Sequence, residues 1–227
     1  MASVERDVRL LVLAASAGSA DAWSYFGLGH AFVANMTGNT VMLGLAVFQN
    51  HGDLLHPGIS LGCYAAGAVI GSLLTGRVKP GAVWSKAISW TLMVEALLLL
   101  AAEAGWIAIH LHINSSPSLQ LLLATVALAI GMQSGAMVQL KIPGIVTTYI
   151  TGTWTTMLSG LVRLVRHEQP PEQEGSKRLL MQAAVLCVYF LAAVLTGWLF
   201  RYRPIAVGLL PGLSVLLVAV HGLIYND

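Results

Sequence analysis

The chain has 227 residues, of which 56% are hydrophobic and only 10% are charged. Soluble domains carry roughly 25% charged residues, so this composition excludes a soluble protein and predicts an all-α membrane protein with several spans. The net charge of +2 gives no indication of a nucleic-acid partner, and the expected partner is the lipid bilayer. Cys63 and Cys187 lie in apolar runs without metal-ligand spacing, so we predict no disulfide, metal or cofactor site.

Six apolar runs are long enough to cross a hydrocarbon core of about 30 Å, which takes about 20 residues. They lie at about 9–29, 58–77, 86–108, 118–139, 179–200 and 204–224. Two shorter runs, at about 37–49 and 151–165, cannot span comfortably. We therefore predict six transmembrane helices and two short re-entrant half-helices, each of which enters and leaves the same face.

The two short runs begin in similar polar segments, the first box (residues 34–41) and the second box (residues 149–156). Thr, Gly and Asn side by side are typical of helix N-termini. The N–H groups at such a start lack intrahelical partners, and within a membrane they need a partner that lipid cannot supply. We therefore predict that both boxes bind a substrate through the following residues: Thr37, Gly38, Asn39, Thr40, Thr151, Gly152, Thr153 and Thr155.

The positive charges favour the six-span arrangement. With eight spans, the 12 Lys and Arg residues divide 6 to 6 between the two sides. With six spans and two half-helices, only Arg201 and Arg203 lie outside, a division of 10 to 2. Cytoplasmic loops carry an excess of Lys and Arg, so we predict that both termini are cytoplasmic. Random placement of charge in short loops is the alternative explanation.

Matched landmarks indicate an internal repeat. Residues 18–22 resemble residues 131–135, Thr37-Gly38 returns 114 residues later as Thr151-Gly152, and residues 66–71 resemble residues 192–197. Each half, 1–112 and 113–227, then contains a span, a half-helix and two further spans. Because three crossings is an odd number, the second half is inverted, as in several transporter and channel folds.

The first box also carries a family resemblance. The run from Phe32 to Val41, preceded by Asp21-Ala22 and followed by Leu43-Gly44, resembles the signature of the YoaK family. These are small multi-span membrane proteins, mainly bacterial, of unassigned function. The resemblance implies a multi-pass protein of the bacterial inner membrane and implies no substrate. The second half departs from the pattern in having Thr153 where an Asn would complete the repeat, and Ser134 where Asn is common.

Two acidic residues lie deep in predicted spans. Asp21 is near the middle of the first span and Glu95 is half-way through the third. Intramembrane acids are costly and are functional candidates, so we predict that both are proton-coupling residues. For Asp21 the alternative is a structural staple between its span and the first box. For Glu95 the alternative is a structural role, paired with Gln182, Lys141 or a hydroxyl of a box. We expect Glu103, nearer the outer end of its span, to be solvated.

We therefore predict an integral inner-membrane transporter or channel for a small polar solute or anion, bound near the midplane between the two half-helix starts. We predict no enzymatic activity, because no nucleotide or hydrolase motif is present. A scaffold or an integral membrane enzyme is the alternative. The Gly67-x-x-x-Gly71 pattern is compatible with internal packing or with a homo-oligomer. In the six-span arrangement five histidines fall on the outer side: His30, His51, His56, His110 and His112. We interpret them as interfacial residues, and a metal or pH-sensing cluster is the alternative.

Overall fold

The computed structural model describes residues 2–49, 52–78, 83–113, 117–140, 150–166 and 175–225. Within these ranges the chain forms eight α-helices and a 3-10 turn, and it contains no strand, so the all-α prediction is confirmed. The helices are α1 (Ala2–Gly27), α2 (Met36–Ala46), α3 (Leu55–Thr75), α4 (Lys86–His110), α5 (Leu119–Val138), α6 (Ile150–Val165), α7 (Gly175–Tyr202) and α8 (Leu209–Ile224). The turn Pro204–Ala206 joins α7 to α8.

Five helical segments of the described ranges are long and apolar enough to cross a membrane: α3, α4, α5, α7 and Pro204–Ile224, which contains α8. The first predicted span falls in α1, which is not among them although it has 26 residues. Ser16, Ser19, Asp21 and Ser24 make α1 more polar, and all four are buried against the rest of the protein. The polarity of α1 thus reflects contacts with other helices.

The helices that begin in the two boxes are short, and α8, also of 16 residues, differs from them in being extended by the preceding turn to a 21-residue segment. α2 has 11 residues and α6 has 16, which correspond to about 16 Å and about 24 Å at a rise of about 1.5 Å per residue. Both are shorter than a hydrocarbon core of about 30 Å. α2 packs against α3, and α6 packs against α7.

Glycines bring α3 and α5 into backbone contact. A Cβ added at any of four glycines would overlap a carbonyl oxygen of the facing helix. The pairs are Gly67 with Leu128, Gly71 with Met132, Gly131 with Tyr64, and Gly135 with Ala68. Residue numbers rise together along both helices, so α3 and α5 run parallel. Small residues at such positions allow close helix approach, and here the Gly67-x-x-x-Gly71 pattern serves packing within the chain.

The direction of the other helix pairs also follows from their contacts. α1 and α7 are parallel, because Gly18 meets the Tyr189 backbone and Phe26 stacks on Phe200 further along. α4 and α8 are antiparallel, because Glu103 contacts Gly208 at the start of α8 while Ser89 lies against Gly222 near its end.

A buried arginine joins the two ends of the chain. Arg9, 5% exposed, donates to His221 Nδ1 on α8 at 3.2 Å and to the Tyr225 carbonyl at 3.3 Å. Its guanidinium also lies 5.0 Å from the centroid of the Trp84 ring, just before α4. A cation placed over an aromatic ring is stabilised by the ring quadrupole. α1 is therefore antiparallel to α8 and is fixed to it near both chain ends.

The glycine contacts generate a stability prediction. Gly71→Ala places a methyl group against the Met132 carbonyl, so α3 and α5 must separate. We expect a loss of about 1–3 kcal/mol, typical of overpacking, measured as a lower melting temperature in detergent. Gly62→Ala is the matched control, since nothing lies within 4 Å of its added Cβ. Equal melting temperatures for the two variants would contradict the close packing of α3 on α5.

Candidate functional site

Asp21 holds the segment that leads into α2. Residues 28–35 between α1 and α2 are not helical, yet Leu28, Ala31 and Val33 are fully buried there. Oδ1 of Asp21 accepts the backbone N–H groups of three successive residues, at 2.7 Å from Val33, 2.6 Å from Ala34 and 3.4 Å from Asn35. Oδ2 accepts the hydroxyl of Tyr189 on α7.

This arrangement suits a carboxylate. An ionised carboxylate only accepts hydrogen bonds, and each group bonded to Asp21 is an N–H or O–H donor. Within the described ranges, no basic side chain forms an ion pair with Asp21. The staple expected as one alternative is therefore present as a set of contacts, although Asp21 reaches α7 as well as the first box. Proton coupling through Asp21 stays a prediction.

Two asparagines shape the start of α2. Asn35 is the N-cap residue, and its side chain accepts the Gly38 N–H at 3.1 Å. Asn39 is fully buried, accepts the Phe32 N–H at 2.9 Å and donates to the Phe32 carbonyl at 2.6 Å. It also donates to Ser60 on α3 at 3.0 Å. The Asn39 amide thus joins α2 to the preceding loop and to α3.

A cavity of about 450 Å³ lies between the starts of α2 and α6. Its volume falls within the range of sites that hold small organic ligands, about 300–1,000 Å³. Both boxes contribute to its wall, which carries hydroxyl and amide groups among apolar side chains. The lining residues are Ala34, Asn35, Met36 and Thr37 from the first half, Tyr64 from α3, Ser134 and Val138 from α5, Ile150 and Thr151 from α6, and Tyr189 from α7.

The predicted binding residues differ in their position relative to the cavity. Thr37 and Thr151 line it, whereas Asn39 and Thr153 are buried in the protein. Gly38 and Gly152 are partly exposed and do not belong to the lining. The hydroxyls of Thr40 and Thr155 each bond the carbonyl one turn earlier, at 2.9 Å and 3.1 Å. Solute binding by these residues stays a prediction.

Two tyrosines on the cavity wall were missed in the sequence. Tyr64 and Tyr189 lie inside apolar runs, where the sequence does not distinguish a tyrosine from the other large side chains of a span. Their hydroxyl groups could have identified them as candidate site residues. A Tyr O–H that is removed from water usually has a hydrogen-bond partner. The Tyr189 hydroxyl bonds Asp21, whereas the Tyr64 hydroxyl has no hydrogen-bond partner in the part of the chain that the structure describes.

The two glutamates of α4 are both buried and do not line the cavity. Among the described residues, neither carboxyl oxygen of Glu95 has a hydrogen-bond partner. The prediction that Glu103 is solvated is wrong, because it is 1% exposed. Its Oε2 accepts the Gly208 N–H at 3.0 Å, so it stabilises the start of α8. Lys141, considered as a partner of Glu95, lies outside the described residues.

The histidines assigned to the outer side include one acid–base pair. His56 Nδ1 lies 2.7 Å from Asp53 Oδ2. Partial burial raises the pKa of the Asp53 carboxyl, but hydrogen bonds from the His56 backbone and ring outweigh this, and the pKa lies below its ordinary value. His51 and His167 are outside the described residues, and no group of three potential metal ligands occurs in the described part.

Comparison with known proteins gives a family and one named relative. The model of a family described as a protein of unknown function (DUF1275) matches residues 9–221. The UPF0700 transmembrane protein YoaK of Bacillus subtilis (strain 168) is 27% identical over 203 residues, which are 86% of this chain and 84% of that protein. No solved structure matches. The resemblance to the YoaK family is therefore confirmed.

The Asp21 contacts generate a second stability prediction. Asp21→Ala removes the acceptor of the Val33 and Ala34 N–H groups and of the Tyr189 hydroxyl. Each orphaned buried group costs about 1–3 kcal/mol, so the melting temperature in detergent should fall sharply. Asp21→Asn is the matched control, because its amide oxygen still accepts the two N–H groups. An Ala variant as stable as the Asn variant would show that these bonds contribute little.

Proposed function

This chain belongs to the DUF1275 family of proteins of unknown function, and we propose that it is a membrane transporter or channel for a small polar solute or anion. The solute binds in the cavity between the starts of α2 and α6. The observation that carries this proposal is the wall of that cavity, to which both short helices contribute their first residues. The proposal assigns binding and passage without a chemical reaction, so the chain is proposed not to be an enzyme.

The chemistry of the wall favours a polar occupant. Thr37, Tyr64 and Thr151 bring hydroxyl groups to the cavity, and Asn35 brings an amide. Lipid chains cannot hydrogen-bond such groups or the N–H groups of a helix start. Water or a polar solute satisfies them. The scaffold alternative leaves this polar cavity without a role.

We propose six crossings with α2 and α6 as re-entrant half-helices, and the helix directions support this arrangement. If both short helices crossed, α4 and α8 would be parallel, but their contacts are antiparallel. If only one crossed, α1 and α7 would be antiparallel, but they are parallel. Six crossings agree with the directions of all four pairs described above. The 10 to 2 division of positive charge supports cytoplasmic termini, and we place the protein in the bacterial inner membrane.

An inverted repeat of the halves 1–112 and 113–227 is part of the same proposal. The pair α1–α7 corresponds to α5–α3, and α2–α3 corresponds to α6–α7. In detail, Gly18 meets the Tyr189 carbonyl in one pair, and Gly131 meets the Tyr64 carbonyl in the other. These contacts favour an offset of 125 residues between α3 and α7. The sequence match of residues 66–71 with 192–197 used an offset one residue larger.

Proton coupling belongs to the proposal only if the protein is a transporter. Glu95 is supported as a candidate because its buried carboxyl has no described partner. Asp21 is supported by its bond to Tyr189, which lines the cavity. A homo-oligomer is a further proposal that does not alter the site.

The transport proposal predicts that a bulky residue at the cavity blocks flux. Thr151→Trp fills the cavity from the start of α6, whereas Leu158→Trp changes an exposed residue further along the same helix. In liposomes containing purified protein, we expect Thr151→Trp to lose most of the uptake of labelled small solutes, and Leu158→Trp to retain it. Equal uptake by the two variants would refute transport through this cavity. Uptake by the unchanged protein that does not exceed the uptake of empty liposomes would refute it as well.

The topology predicts opposite accessibility for two positions. In a variant lacking Cys63 and Cys187, Asp53→Cys should react with an impermeant maleimide from outside intact cells, because α2 returns to its own side. Lys177→Cys should react only after permeabilisation. Position 177 is inside in both the six-span and eight-span arrangements and therefore calibrates the assay. Labelling of position 53 only after permeabilisation would exclude the re-entrant α2.

A further inference from the structure

We propose that the second half of the cavity binds the carboxylate of a small organic monocarboxylate, at the place corresponding to that of the Asp21 carboxylate in the first half. This inference rests on the proposed solute-binding function and narrows its substrate class. The carboxylate would lie beside Tyr64, Ser134 and Thr151, all of which line the cavity.

The first half shows how this fold holds a carboxylate. Asp21 is bonded by the N–H groups of Val33 and Ala34 and by the Tyr189 hydroxyl. No Lys or Arg forms an ion pair with it in the described part of the chain. Hydrogen bonds from these uncharged donors favour the ionised form of the side chain, whereas its burial opposes ionisation. Within the described ranges, the fold thus surrounds a carboxyl group with donors that carry no charge.

The described residues of the second half repeat part of this framework without the acid, and the counterparts of Val33 and Ala34 lie outside the described ranges. Asp21 follows Gly18 by three residues, and Ser134 follows Gly131 by three residues. The two glycines meet the carbonyls of Tyr189 and Tyr64, respectively. Ser134 and Tyr64 therefore correspond to Asp21 and Tyr189. The serine side chain ends before the position of a carboxylate, and its hydroxyl bonds the Ile130 carbonyl at 3.1 Å.

The tyrosines complete the argument. The Tyr189 hydroxyl donates to Asp21, whereas that of Tyr64 has no hydrogen-bond partner among the described residues although it lies at the cavity. A carboxylate in the cavity would accept from Tyr64 and from the Thr151 hydroxyl. The start of α6 adds a positive potential to these donors.

The remaining wall limits the size and charge of the solute. Met36, Val138 and Ile150 offer apolar surface to a short hydrocarbon tail. No Lys or Arg belongs to the described lining of the cavity, so nothing there balances a second negative charge. A second carboxylate on the solute is therefore disfavoured, which leaves a monocarboxylate of a few carbons.

The test compares acids with their neutral amides in purified, detergent-solubilised protein. Binding of propionate and butyrate is measured by calorimetric titration against propionamide and butyramide. Binding is chosen because protonated short acids cross bilayers unaided. We expect the unchanged protein to bind the acids at least about tenfold more tightly, as for hydrogen bonds to a charged group. The proposal would be overturned if the amides bound as tightly as the acids. It would also be overturned if chloride competed with a labelled acid as effectively as an unlabelled acid does.

Three variants locate the site. Ser134→Asp supplies a built-in carboxylate, as Asp21 does in the first half, and should abolish binding of the acids. Ser134→Ala, which leaves that position unfilled, should retain it. Tyr64→Phe removes the proposed donor and should weaken acid binding about tenfold or more. If Ser134→Asp does not fold, the acid binding of Tyr64→Phe tests the proposal instead. Unchanged acid binding by Ser134→Asp, or by Tyr64→Phe, would overturn the proposal.

Failure of this inference is distinguishable from failure of the transport proposal. If amides bind as well as acids, and Thr151→Trp still blocks uptake of a neutral solute, the transport function stands and the carboxylate class is wrong. If neither class of solute binds and none is taken up by liposomes, both proposals fail together.

Discussion

Backbone that is not helical needs hydrogen-bond partners wherever water is excluded, and this constraint governs the segment between α1 and α2. Asp21 satisfies it from one side by accepting the N–H groups of Val33 and Ala34. Asn39 satisfies it from the other by bonding both the N–H and the carbonyl of Phe32. The two side chains therefore hold the start of α2 in one position, and that position forms part of the cavity wall.

Close helix packing positions the rest of the wall. Glycines let α5 approach α3 until backbone meets backbone, and Gly18 does the same for α1 and α7. These contacts set the depth at which Tyr64 and Tyr189 lie beside the two helix starts. The glycines therefore act on the cavity indirectly, by fixing the elements that carry its tyrosines. Asp21 links the two effects, since it bonds both the first box and Tyr189.

The lengths of the apolar runs predicted the helices, because an apolar run in lipid has few alternatives to an α-helix. The short apolar runs at about 37–49 and 151–165 correspond to α2 and α6. Side-chain direction could not be predicted in the same way. Asn39 was expected to face a solute, but its partners are Phe32 and, on a different helix, Ser60. Glu103 was misassigned because its partner Gly208 is 105 residues away in the chain, so position within a span was a poor guide to exposure.

The pairing of helices across the chain has a consequence for its assembly. α3 packs against α5, and α1 packs against α7, so each of these pairs joins an early helix to a late one. A chain that ended before α5 would leave the glycine face of α3 and the Gly18 face of α1 without their partners. The close packing of α3 and α1 therefore forms only after α5 and α7 have been synthesised.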